Sequence, residues 1–131
     1  MILWLDAVLV IILILVFLWP RINLRRSGAK VLENRDFLEK SQNGQIIDIR
    51  ESNEFRVKHI LGARNLPSSQ IAQSLSAIRK DKPVLIYGNG PARAQGSRPV
   101  KVALQLKKAG FSDVYLLKDG LNKWAGKVKE Q

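Results

Sequence analysis

Residues 2–19 read ILWLDAVLVIILILVFLW, with one charge, Asp6, and no break in the apolar run from Ala7 to Leu18. Such a segment cannot be an ordinary surface helix, because a helix that is apolar all round has no face to give to water. Coiled as an α-helix it rises about 27 Å, close to the ~30 Å hydrocarbon thickness of a bilayer. Trp4 and Trp19 stand near its ends, where indole rings favour the membrane interface, and Pro20 follows. Residues 1–20 are therefore expected to form one transmembrane helix. No basic residue precedes the run and no small-x-small site follows it, so a retained anchor is expected in place of a cleaved leader.

Arg21, Arg25, Arg26 and Lys30 lie in the segment 21–30 with no acidic residue among them, which makes it a basic juxtamembrane linker. Basic flanks stay on the cytoplasmic side, so the N-terminus is expected outside and the remainder of the chain in the cytoplasm. The same four side chains suit anionic lipid headgroups. The chain as a whole carries 22 Lys and Arg against 11 Asp and Glu. Beyond the linker, however, the basic residues are scattered and form no nucleic-acid-binding module, so no nucleic acid partner is expected. The absence of cysteine excludes a disulfide scaffold, a thiolate metal centre and a cysteine nucleophile. With His59 as the one histidine, a multi-histidine metal site is excluded too, and neither metal nor cofactor is expected.

Residues 31–131 read as one domain in which short apolar runs alternate with helical patterns. Asn34 is placed to cap a helix over about 35–41, stopped near Asn43-Gly44. Gln45–Ile49 is a short strand, and Ser52 is placed to cap a brief helix carrying Phe55. Ser68 or Ser69 begins a helix with Ile71, Leu75 and Ile78 at helical spacing. Pro83–Tyr87 is almost wholly apolar, the pattern of a strand covered on both faces. After a loop rich in Gly and Arg, the spacing of Val102, Ala103 and Leu106 predicts a helix over 99–109 that ends at Gly110. Asp113–Leu117 is a further strand, and Leu121 and Trp124 lie on a last short helix. Strands separated by helices predict an α/β fold with a parallel sheet flanked on both faces.

Four blocks in this order, IIDIRESNEF, HILGARNLP, PVLIYG and AGFSDVYLLKDGLNKW, resemble the rhodanese-like domain. The resemblance covers roughly residues 30–126 and implies a five-stranded parallel sheet flanked by helices. It also implies sulfur transfer through a cysteine persulfide at the end of the central strand, or phosphatase chemistry on the same cysteine. The matching position here is Gly88, which has no side chain to form either intermediate. Ser97 lacks a base nearby in sequence. Sulfur transfer by that mechanism is therefore excluded, and no catalytic residue is expected.

The loop is also longer than the resemblance implies. Arg98 or Arg93 falls at the expected loop-closing arginine, depending on which end is counted from, so about five residues are inserted. Gly88, Asn89, Gly90, Arg93, Gly96, Ser97 and Arg98 thus form a candidate anion cradle, a bare surface loop being the plainer alternative. By the same resemblance, Asp48 and Arg50 fix the turn after the second strand, Glu54 is a partner for Arg50, and His59 is a hydrogen-bonded structural residue. Lys58 and Asp119 stand where glycines are usual. The sequence therefore predicts a membrane-anchored, catalytically inactive module that binds a protein partner or small anion at the inner membrane face. An enzyme of non-cysteine chemistry, acting on an anionic substrate through loop 88–98, is the alternative.

Overall fold

The computed structural model describes residues 2–26, 29–92 and 97–130, with the side chains of the first helix described over 3–17. The chain runs α1 (Ile2–Arg26), β1 (Lys30–Leu32), α2 (Asn34–Ser41), β2 (Gln45–Asp48), α3 (Ser52–Val57), β3 (Lys58–Ile60) and β4 (Arg64–Asn65). Two 3-10 turns, Ser68–Gln73 and Leu75–Ala77, lead to β5 (Val84–Tyr87), α4 (Arg98–Lys108) and β6 (Val114–Leu117). A 3-10 turn at Leu121–Lys123 and β7 (Val128–Glu130) follow.

β1, β6, β5, β2 and β4 form, in that order, one sheet in which every pair is parallel. Successive side chains of a strand point to opposite faces, and the two cores follow from that alternation. Val84 and Ile86 of β5, with Val114 and Leu116 of β6, pack against Val102, Ala103 and Leu106 of α4 and against Ile71 and Ile78. Leu85 and Tyr87, with Tyr115 and Leu117, face Phe37 of α2, Ile60 and Leu121. All four residues of β5 and all four of β6 are buried, as expected of strands covered on both sides. β3 and β7 make a separate antiparallel ribbon, which the sequence reading did not foresee.

Several local expectations change. Asn34 is the first residue of α2, not its cap; Glu33 takes the cap position, and the Asn34 amide donates to the Lys123 carbonyl at 2.7 Å. Ser52 likewise lies inside α3, with Glu51 before it. Residues 68–77 are 3-10 turns, in which Ile71 is still turned into the core. α4 begins one residue earlier than predicted and closes on Gly110 at φ +98°, a conformation suited to glycine.

The N-terminal segment is helical, but α1 passes through Pro20 and reaches Arg26, so part of the predicted linker is helix. Lys30 belongs to the sheet, paired with Tyr115. Residues 3–17 are exposed, with no other described residue laid over them. Among the described residues no helix is long and apolar enough to cross a membrane. The expected transmembrane assignment of residues 1–20 is thus not supported by the fold.

Candidate functional site

Because β2 and β5 are parallel neighbours with Asp48 opposite Tyr87, the segments leaving their carboxyl ends emerge side by side. This edge of a parallel sheet is where ligands of such folds usually sit. Asp48 is wholly buried there and organises four groups. Its Oδ1 accepts the Arg50 backbone N–H at 2.9 Å, and Arg50 Nε and Nη2 reach the carboxylate at 3.1 Å and 2.8 Å. The Tyr87 hydroxyl donates to Oδ2 at 2.7 Å and accepts the Ile60 N–H at 3.0 Å, tying the network to β3. Burial, then the Asp48 charge, pushes the Tyr87 hydroxyl well above its ordinary pKa, so it stays protonated as a donor. Removing it in Tyr87→Phe leaves Ile60 N–H and one Asp48 lone pair without their partner. That variant is expected to lose about 1–3 kcal/mol in urea unfolding.

Outward from this pair the network reaches the loop after β5. Arg50 Nη1 donates to Asn89 Oδ1 at 3.2 Å, and Asn89 Nδ2 donates to Glu54 Oε2 at 2.7 Å. Arg50 Nη2 also donates to the Lys58 carbonyl. Glu54 is therefore linked to Arg50 through Asn89, while the carboxylate paired with Arg50 is Asp48. Burial disfavours the Arg50 charge, but the Asp48 hydrogen bond and charge outweigh it, and the guanidinium is held above its ordinary pKa. The Asn89 hydrogen bond holds the Glu54 carboxyl below the usual carboxylate range.

A cavity of about 300 Å³ opens beside this chain of contacts. Of the predicted loop residues, Gly88, Asn89, Gly90, Ser97 and Arg98 line it. Arg93 and Gly96 lie outside the described residues. Arg50 and Glu54, which the sequence reading assigned to structure alone, also line the cavity, as do the apolar walls Ile49, Pro91 and Pro99. His59 does not: its Nδ1 contacts the Phe55 carbonyl at 2.7 Å, and its ring stacks on Phe55 at 3.7 Å between centroids. Ser97 spends its hydroxyl on the Ala92 carbonyl at 3.0 Å and, although at the α4 cap position, makes no side-chain cap.

Asp48 neutralises Arg50, which leaves Glu54 and Arg98 as the remaining opposite charges among the described lining residues. No cluster of His, Cys, Asp and Glu among the described residues could hold a metal. Gly88 itself sits at the tip of β5, its carbonyl accepting the Leu121 N–H at 2.9 Å. Its φ is not in the left-handed region, and an added Cβ would meet only Pro99 Cγ, at 3.4 Å, and Cδ, at 3.9 Å. Neither conformation nor space requires glycine there.

Gly120 is the residue the sequence reading missed. With φ 70° and ψ −168°, it lets the segment after β6 pass against the Asn89 and Gly90 carbonyls. The Asp119-Gly120 pair, a turn dipeptide, was the available signal.

The family model described as Rhodanese-like domain matches residues 33–127. "Uncharacterized protein YqhL" of Bacillus subtilis is 43% identical over 100 residues, covering 76% of this chain and 75% of the relative. "Uncharacterized protein YibN" of Escherichia coli is 37% identical over 84 residues, or 62% of this chain, and the match spans 55% of that relative's length. The crystal structure of the BH2092 protein from Bacillus halodurans superposes with a TM-score of 0.68 at 22% identity, covering 78% of this chain and 77% of that one.

Proposed function

The chain belongs to the rhodanese-like domain family, and from that premise we propose a non-catalytic binding module that receives a protein partner or a small charged ligand in the cavity at Gly88. The observation that carries this reading is the state of the strand tip. The frame around it is intact: the buried Asp48–Arg50 pair, the Tyr87 bridge and an open cavity are all in place. Yet the chain has no cysteine, so no cysteine persulfide can form. The glycine is imposed by neither backbone nor packing, and the cavity opens directly beside it. A frame kept around a vacant nucleophile position suits occupancy by a ligand better than turnover.

The proposal includes attachment to the inner face of the cell membrane. Its support is α1, whose exposed side chains over 3–17 are apolar apart from Asp6, and the Arg21, Arg25 and Arg26 that follow. An uncovered apolar surface of this extent needs a non-aqueous neighbour. The same basic flank supports a cytoplasmic position for the domain.

Gly88→Leu tests the binding role directly. A partner cross-linked to the full-length chain in membranes should be lost in Gly88→Leu and kept in Gly88→Ala; capture unchanged by both would sink the reading. The smaller substitution fits the backbone and the space, so Gly88→Ala is expected to unfold at the same stability or up to about 1 kcal/mol higher, because alanine narrows the unfolded ensemble. Gly88→Cys should fold equally well. Thiosulfate sulfurtransferase activity gained by that variant and absent from the parent would identify position 88 as the missing element. Turnover of any anionic substrate by the parent chain, lost in Arg98→Ala, would contradict the non-catalytic role.

A further inference from the structure

We infer that the cavity at Gly88 takes a small zwitterion, with its ammonium group at Glu54 and a carboxylate or phosphate group at Arg98. This deepens the binding role proposed above and rests on it.

The argument is one of charges left over. Arg50 has little to offer a ligand: its Nε and Nη2 are held by Asp48, Nη2 also by the Lys58 carbonyl, and Nη1 by Asn89. Glu54 and Arg98 line the same cavity, and the Arg98 charge favours the ionised Glu54 from across it, but no contact ion pair joins them, and Arg98 makes no ion pair or side-chain hydrogen bond with any described residue. Asn89 Nδ2 and the Glu51 backbone N–H both donate to the Glu54 carboxylate, which offers about four lone-pair positions, so acceptor capacity remains. The Asn89 amide is itself oriented by Arg50, which leaves it no freedom to turn its oxygen toward Glu54. Glu54 is also held ionised by that contact.

A simple anion entering the cavity meets the Glu54 carboxylate, and a simple cation meets the Arg98 guanidinium. A molecule carrying both charges matches each with its opposite. Ile49, Pro91 and Pro99 supply apolar contact for the carbons between the two charged ends, and about 300 Å³ accommodates a molecule of a few carbons. A free amino acid and an ethanolamine phospholipid headgroup share this chemistry.

Calorimetric titration of the full-length chain in maltoside micelles tests it, with β-alanine, phosphoethanolamine, sulfate and methylammonium as probes. At least one of the two zwitterions is expected to bind about tenfold more tightly than sulfate and methylammonium. Glu54→Gln keeps an oxygen for Asn89 and removes the charge. It is expected to unfold at the parent's temperature, to weaken the zwitterion about tenfold and to leave sulfate unweakened. Preference for phosphoethanolamine assigns the headgroup source and preference for β-alanine the free amino acid, and either supports the inference. Sulfate binding as tightly as both zwitterions, or a zwitterion unaffected by Glu54→Gln, overturns it and leaves the binding role standing. Failure of all four probes to bind overturns the inference and the small-ligand reading together, while a partner lost in Gly88→Leu would still be open to the cross-linking experiment.

Discussion

Asp48→Ala is expected to cost about 3–5 kcal/mol, measured as the loss of unfolding free energy in guanidinium titration. Arg50 is 7% exposed and Asp48 wholly buried, so truncating the carboxylate strands a guanidinium that cannot shed its proton and is largely shielded from water. The Tyr87 hydroxyl and the Arg50 backbone N–H lose their acceptor in the same step. Against a typical total of about 5–15 kcal/mol for a domain, a loss of that size leaves a substantial unfolded population. The penalty comes chiefly from the unpaired charge, not from a large net gain when the pair forms. Asp48→Ala combined with Arg50→Met should therefore recover part of the loss. A single-variant cost below about 1 kcal/mol would contradict burial of the pair.

Gly120→Ala is expected to be nearly as damaging, by about 3 kcal/mol or more, for a different reason. At φ 70° and ψ −168° the backbone occupies a region open essentially to glycine alone, which by itself costs about 1–3 kcal/mol for a side chain. The added Cβ would also lie 2.5 Å from the Gly90 oxygen and 2.6 Å from the Asn89 oxygen. Those are backbone atoms of the cavity loop, held by the Asn122 N–H on Asn89 O and the Leu121 N–H on Gly88 O, and they cannot swing aside as a side-chain end would. The variant should lower the melting temperature and weaken ligand binding together. Gly88→Ala is the control: one added methyl in each, with opposite consequences set by φ and by clearance.

What the sequence made legible follows from which forces are local. The all-apolar segments 84–87 and 114–117 announced strands buried on both faces, and the Val102, Ala103, Leu106 spacing announced α4, because burial writes its period directly into the chain. Gly88, Asn89, Gly90, Ser97 and Arg98 were found as one loop because they are neighbours in sequence. The β3–β7 ribbon was invisible: its partners lie about seventy residues apart, and neither stretch alternates strongly enough to declare itself. The caps misled for a related reason. Asn34 is a good cap residue in isolation, but its amide is claimed by Lys123 from the far end of the domain. The resemblance makes Glu54 the partner of Arg50, whereas Asp48 holds the guanidinium and Asn89 bridges to Glu54. Long-range contacts decided each of these, and none leaves a mark at its own position.

The strand order has a consequence for how the domain comes into being on the ribosome. β1, the earliest strand made, has β6 as its one neighbour in the sheet, and β6 is the last of the five to be synthesised. Until residue 117 has left the exit tunnel, the backbone of Lys30–Leu32 has nothing to zip onto, however well the segments between have collapsed. The nascent chain must therefore carry an unclosed margin until β6 emerges and docks between β5 and β1.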